Sequence, residues 1–205
     1  MTRTPNIATI VVLVAFVAAT AFAQTPPLQP TPRDMRGPYY PDSLPADRDA
    51  DLTQIAGHAG TAQGQVLLLD GRVLDRQGKP MAGVQVEIWQ TDANGRYIHS
   101  GDRGKGKRDP GFQGFGATVT AADGRYAFRT VVPKSYGSRP PHVHARLLRD
   151  QREVLVTQIY FPQATGEPGV SPDWARQRDL NQTLHINSAA GATDIRAAFD
   201  FVLAD

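Results

Sequence analysis

The chain has 205 residues, no cysteine, and 22 Lys plus Arg against 20 Asp plus Glu, a formal net charge of +2. The near balance argues against a polyanion-binding protein, and the missing thiols exclude disulfides and leave nitrogen and oxygen donors for any metal centre. The length suffices for one substantial hydrophobic core.

Residues 1–23 read as an export signal. Arg3 precedes an almost wholly apolar run from Ile7 to Ala21, and Ala21-Phe22-Ala23 fits a small-x-small cleavage site with Gln24 as the first mature residue. An uncleaved anchor is the alternative, for which the run is short. Cleavage leaves a periplasmic or secreted protein with no stable membrane anchor. Residues 24–48 are proline-rich without a sustained period and predict an extended arm.

Residues 49–205 predict a single all-β domain, a β-sandwich of about eight strands with one short helix. Gln65 to Leu74, Val84 to Gln90, Ala117 to Thr120, Arg125 to Val132, His142 to Leu148 and Val154 to Tyr160 are short β-prone runs. Asp70-Gly71, Gln77-Gly78, Asn94-Gly95 and Asp123-Gly124 are turn signals. Thr183 to Asn187 and Ala198 to Leu203 complete the strands, and Ser171-Pro172-Asp173 caps a helix to about Leu180. By propensity alone the stretch from Thr193 is also compatible with helix. The run Arg103, Lys105, Lys107, Arg108 is glycine-spaced and lacks aromatic neighbours, so it reads as a solvated loop rather than a nucleic-acid site.

One phrase occurs twice. Thr91-Asp92-Ala93-Asn94-Gly95-Arg96-Tyr97 echoes Thr120-Ala121-Ala122-Asp123-Gly124-Arg125-Tyr126. Each is a turn feeding an aromatic residue, and spacing alone does not distinguish a packed tyrosine from a functional one. Tyr126 has Phe128 as a same-face partner, which favours packing.

The chemistry concentrates in Arg139-Pro140-Pro141-His142-Val143-His144. Alternation along a strand puts both imidazoles on one face, half of a metal site. Arg139 is a permanent cation beside them, and Tyr136 lies in a short Ser-Tyr-Gly turn just upstream. Neutral imidazole suits iron, copper or zinc, whereas phenolate oxygen favours a trivalent ion, so Fe(III) ranks ahead of zinc. A hydrolytic zinc or copper site on His142 and His144 lacks a nearby carboxylate base. A non-catalytic β-sandwich binding module would retain the Gly-Arg-Tyr turns but needs no such cluster. His58 and His185 are assigned no metal role, and Glu87 reads as a structural acid.

The stretch Leu69 to Tyr97, LDGRVLDRQGKPMAGVQVEIWQTDANGRY, closely resembles the signature of the intradiol ring-cleavage dioxygenases, especially the protocatechuate 3,4-dioxygenase branch. The likeness continues through Asp109-Pro110-Gly111-Phe112, Gly114-Phe115-Gly116, Asp123 to Phe128, the Tyr136/His142/His144 cluster and Thr157-Gln158-Ile159-Tyr160-Phe161. It spans roughly residues 30 to 162. The resemblance implies a non-haem Fe(III) enzyme that inserts both atoms of O2 into a catechol-type aromatic to give a muconate-type diacid. It implies Tyr97, Tyr136, His142 and His144 as metal ligands, with Tyr97 and His142 equatorial. It further implies Arg139 and Gln158 beside the substrate, and Pro38 and Tyr39 of the Gly37-Pro38-Tyr39 element lining the ring pocket. The chain departs from the family pattern between Tyr136 and His142, where better-known members carry a longer loop. The ring substituent and homo-oligomerisation stay open.

Overall fold

The computed structural model describes residues 26–162, 182–188 and 191–204. The export signal and the helix expected to about Leu180 lie outside them. Among the described residues nine strands form two facing sheets: β1 (Val66–Leu74), β2 (Gln85–Trp89), β3 (Phe115–Val119), β4 (Arg125–Val131), β5 (His142–Arg149), β6 (Arg152–Tyr160), β7 (His185–Ile186), β8 (Ile195–Ala198) and β9 (Phe201–Val202). One sheet runs β4-β1-β8-β7 with β9 also beside β1, and the other runs β3-β2-β5-β6. The second is antiparallel throughout, while β1 pairs antiparallel with β4 and parallel with β8 and β9. This is the all-β sandwich that the short, turn-separated runs predict.

Strand alternation decides what each sheet face carries. Val86 and Ile88 of β2, Val143, Ala145 and Leu147 of β5, and Leu155 and Ile159 of β6 are buried in the core between the sheets. They pack against Leu67, Leu69 and Val73 of β1, Tyr126 and Phe128 of β4, and Phe199 and Phe201. The intervening residues, Trp89 of β2 and Val156 of β6 among them, belong to a second cluster with Tyr97 and Phe115. The histidines of β5 alternate with core residues and so face this second cluster.

Two expectations need correction. Asp70-Gly71 is not a turn but lies inside β1. The glycine is required there because the chain crosses against it: a Cβ on Gly71 would stand 1.8 Å from the Phe199 carbonyl oxygen. The C-terminal stretch is neither helix nor one strand from Ala198 to Leu203. It forms β8 and β9, separated at Phe199, whose N–H donates to the Asp70 carbonyl at 2.9 Å. Backbone pairing along β1 overrides the local helix propensity.

The described residues of the proline-rich arm, 26–48, form no helix or strand, yet they are firmly attached. The Thr31 and Asp34 N–H groups donate to the Val202 and Val156 carbonyls, both at 2.9 Å. The Thr157 hydroxyl donates to the Pro32 carbonyl at 2.7 Å. These bonds fasten the arm to β9 and to the edge strand β6, and the residues that follow pass over the outward face of the second sheet, Gly37 against His144 and Tyr40 against Trp89.

Candidate active site

Three strands and two loops bring the donors together. His142 and His144 enter on β5, and the register Trp89↔His144 and His144↔Gln158 sets β2 and β6 on either side. Tyr97 arrives from the turn after β2. That turn is closed by the Asp92 N–H to the Arg96 carbonyl at 2.9 Å, while the Asp92 carboxylate accepts the Asn94 and Arg96 N–H groups. Tyr136 stands in the link between β4 and β5, where the Arg139 N–H donates to the Tyr136 carbonyl at 3.0 Å.

Tyr97 Oη lies 3.3 Å from His142 Nε2 and 3.1 Å from His144 Nε2, and the two Nε2 atoms are 3.1 Å apart. Two donors about 2.1 Å from a shared ion and about 95° apart would be separated by about 3.1 Å, so these atoms converge as a metal's ligands do. Tyr136 adjoins them, its ring centroid 5.2 Å from that of Tyr97 and 5.9 Å from that of His142. Among the described residues no cluster of three His, Cys, Asp or Glu side chains exists. A metal at this place would therefore take phenolic oxygen, a donor set that fits ferric iron better than zinc.

The electrostatics prepare the imidazoles for ligation. Burial pushes the pKa of His142 down to about 4 and that of His144 well below its usual value. Both rings are thus neutral at pH 7, the form that binds metals. His142 Nδ1 donates to the Pro140 carbonyl at 2.6 Å, which leaves the Nε2 lone pair for the site. Burial raises the Tyr97 phenol well above 10, and the Tyr136 phenol more modestly, while Arg139 pulls both the other way. Without a metal both stay protonated at neutral pH, so metal uptake through them releases protons.

The remaining predicted residues surround this centre. The Arg139 guanidinium donates to Gln158 Oε1 and, at 3.4 Å, to Tyr160 Oη. Tyr39 packs its ring 5.1 Å from Tyr97, 5.6 Å from His99 and 5.7 Å from Tyr136. Pro38 is exposed beside it. His99 is half-buried, its Nδ1 accepting the Gly101 N–H at 2.9 Å. His58 and His185 are exposed, as is the basic run from Arg103 to Arg108. Glu87 is structural, accepting from Tyr40 at 3.1 Å and paired with Arg146 at 3.2 Å.

Two contacts escape a sequence reading that considers one strand at a time. Trp89 stacks on the His144 ring, centroids 4.8 Å apart and planes 9° from parallel. Pairing the Val84–Gln90 run with the His142–Leu148 run would have revealed it. Gly37, with φ of +70°, brings the arm so near that a Cβ there would stand 3.1 Å from His144 Cε1. Nothing in an arm without periodicity announces that approach.

Comparisons with known proteins identify relatives of this chain. A family model described as "Dioxygenase" matches residues 35–139. The protocatechuate 3,4-dioxygenase beta chain of Burkholderia cepacia is 39% identical over 193 residues, covering 86% of this chain and 80% of that protein. Catechol 1,2-dioxygenase 2 of Acinetobacter lwoffii is 38% identical over 122 residues, 59% of this chain and 40% of that one. Among solved structures, the dioxygenase domain of a dioxygenase carbohydrate-binding protein fusion from Streptomyces sp. SirexAA-E superposes with a TM-score of 0.66 at 32% identity. It covers 85% of this chain and 98% of that domain. The chain belongs to the intradiol ring-cleavage dioxygenases.

Proposed function

We propose that the protein is an exported, non-haem Fe(III) dioxygenase that opens a catechol-type ring between its two hydroxyl-bearing carbons, with both atoms of O2 entering a cis,cis-muconate-type diacid. The observation that carries this reading is the convergence of Tyr97 Oη, His142 Nε2 and His144 Nε2 within 3.1–3.3 Å of one another, with Tyr136 alongside.

Tyr97, Tyr136, His142 and His144 would hold the iron. Bound there, ferric iron would supply the Lewis acidity that favours the catechol dianion and activates the ring towards dioxygen. Two neutral imidazoles and two phenolates give a donor set that offsets much of a trivalent charge and disfavours reduction. Tyr136, half-buried and next to Arg139, would, once held as a phenolate, be the group that takes a proton from the incoming diol. Arg139 places a fixed cation where negative charge grows on the ring, and Gln158 holds that cation from the sheet. Tyr39, packed on Tyr97 and Tyr136, would cover the site from the arm side. The leader-like residues 1–23 support export, and fractionation of cells producing the full chain tests it.

The enzymatic test is oxygen uptake by the iron-loaded protein with catechol and with carboxylated and chlorinated catechols. The expected outcome is stoichiometric O2 consumption, with a product heavier than the substrate by two oxygen atoms. No uptake with any catechol would contradict the proposal.

A further inference from the structure

We propose that the arm aims Arg139: Asp34 acting through Tyr160, and the Met35 carbonyl acting through Gln158, fix the hydrogen-bond polarity that holds the guanidinium in the site. The inference rests on the reading of Arg139 as the cation beside the substrate ring.

Arg139 Nη2 donates to two groups that are ambiguous in themselves. An amide presents either its oxygen or its nitrogen, and a phenol either donates or accepts. Gln158 is resolved by the arm: its Nε2 donates to the Met35 carbonyl at 2.7 Å, so its Oε1 faces Arg139. Tyr160 is resolved one residue earlier. Its hydroxyl lies 2.9 Å from Asp34 Oδ2, and a carboxylate only accepts, so the single phenolic proton points to Asp34. The Tyr160 lone pairs then face Arg139. The same commitment keeps the proton away from Gln158 Oε1, which is 3.1 Å distant and already engaged by Arg139.

Asp34 is built to do this. Its N–H donates to the Val156 carbonyl at 2.9 Å, its Oδ1 accepts the Met35 N–H at 2.6 Å, and its Oδ2 also receives Gln182 Nε2 at 3.4 Å. Burial, reinforced by the Asp34 charge, raises the Tyr160 pKa, so the group remains a phenol with one proton to place. Asp34 and Met35 are positioning residues, acting on the cation through Tyr160 and Gln158.

Asp34→Asn tests the polarity while conserving size. Its amide offers a donor to Tyr160, which turns the phenolic proton towards Gln158 Oε1 and sets it against Arg139. In the iron-loaded full chain with catechol, kcat should fall roughly 10- to 100-fold and KM change by less than about 3-fold. The visible absorption should stay in place, because no proposed metal donor is touched. In a Tyr160→Phe background the same substitution should add less than about 3-fold. Thr31→Val removes a different attachment of the arm, the 2.9 Å bond from the Val202 N–H, and should leave kcat unchanged. Independently of turnover, the Arg139 side-chain signals of nitrogen-labelled, metal-free protein should shift in Asp34→Asn and stay in Thr31→Val.

Wild-type kcat in Asp34→Asn would overturn the proposal, as would an undiminished loss in the Tyr160→Phe background. So would an equal loss in Thr31→Val, which would show that the arm merely needs fastening. A wild-type protein that takes up iron but consumes no oxygen with catechols would instead remove the reading of the site on which the proposal rests.

Discussion

Tyr97 and Tyr126 end the same sequence phrase in the same turn and have different fates. The Asp92 and Ala121 N–H groups donate to the Arg96 and Arg125 carbonyls at 2.9 and 3.0 Å, and the Gly95 and Gly124 N–H groups donate back to Asp92 and Ala121 at 3.1 and 2.9 Å. Beyond the turn the paths part. Tyr126 continues into β4, lies against Phe128 and Phe201, and donates its hydroxyl to the Phe199 carbonyl at 2.7 Å. Tyr97 enters a loop instead and presents its hydroxyl to two imidazole nitrogens. Burial raises both phenols well above 10, but at Tyr97 the Arg139 cation opposes the rise, whereas at Tyr126 the Asp200 and Asp70 charges add to it. A buried tyrosine becomes functional through what its oxygen meets, and the local turn does not decide that.

The first residue of each turn does carry a difference. Asp92 uses its carboxylate three times, accepting the Asn94 and Arg96 N–H groups and, at 2.7 Å, the N–H of Asp109. This ties the Tyr97 turn to the loop that returns to β3. Ala121 has no side chain for such a tie, and its turn is held by the strands that follow.

The largest expected contrast is catalytic. Tyr97→Phe should lower kcat/KM by more than about 100-fold, since even residues that only orient a metal's ligands cost 10- to 100-fold when removed. Tyr126→Phe should leave it within about 2-fold; steady-state oxygen uptake measures both. A reversed contrast appears in stability. Gly71→Ala, which drives a Cβ into the Phe199 carbonyl beneath Tyr126, should cost about 3 kcal/mol or more in denaturant unfolding.

Acid should destabilise the metal-free protein through the buried imidazole beside Tyr97. His142 is held at about 4 when folded, against an unfolded value near 6.5, so below the unfolded value the unfolded chain binds the proton more readily. Stability is therefore intact above about pH 6.5 and declines as pH falls towards 4, by about 3 kcal/mol from this residue alone. His142→Gln should flatten that decline in pH-dependent unfolding curves. The smallest effect belongs to Tyr126→Phe, which removes one buried hydrogen bond and should cost about 1 kcal/mol in thermal or denaturant melts.

Much of this was legible in the sequence, and the gaps have physical causes. Alternation in β5 put His142 and His144 on one face without structural help, because a strand's period is two. It did not say which face of which sheet. The site lies on the outward face, and what makes it an interior is the arm, whose proline-rich sequence has no period to read. Asp70-Gly71 imitated a turn because glycine answers equally to a turn and to a close backbone crossing, and only the path of Phe199 distinguishes them. The partners of Arg139 were half legible. Gln158 was named from the family likeness, whereas Tyr160 and Asp34 emerge only when a residue of the arm and one of β6 are brought within 2.9 Å.

The most direct test of the account is a titration of metal-free wild type, Tyr97→Phe and Tyr126→Phe with Fe(III), followed by visible absorption. Phenolate bound to ferric iron absorbs visible light by charge transfer. The account predicts a saturable band at one iron per chain in wild type and in Tyr126→Phe, with the band lost or strongly shifted in Tyr97→Phe. A wild-type protein that stays colourless with iron, or a Tyr97→Phe protein with an unaltered band, would contradict it.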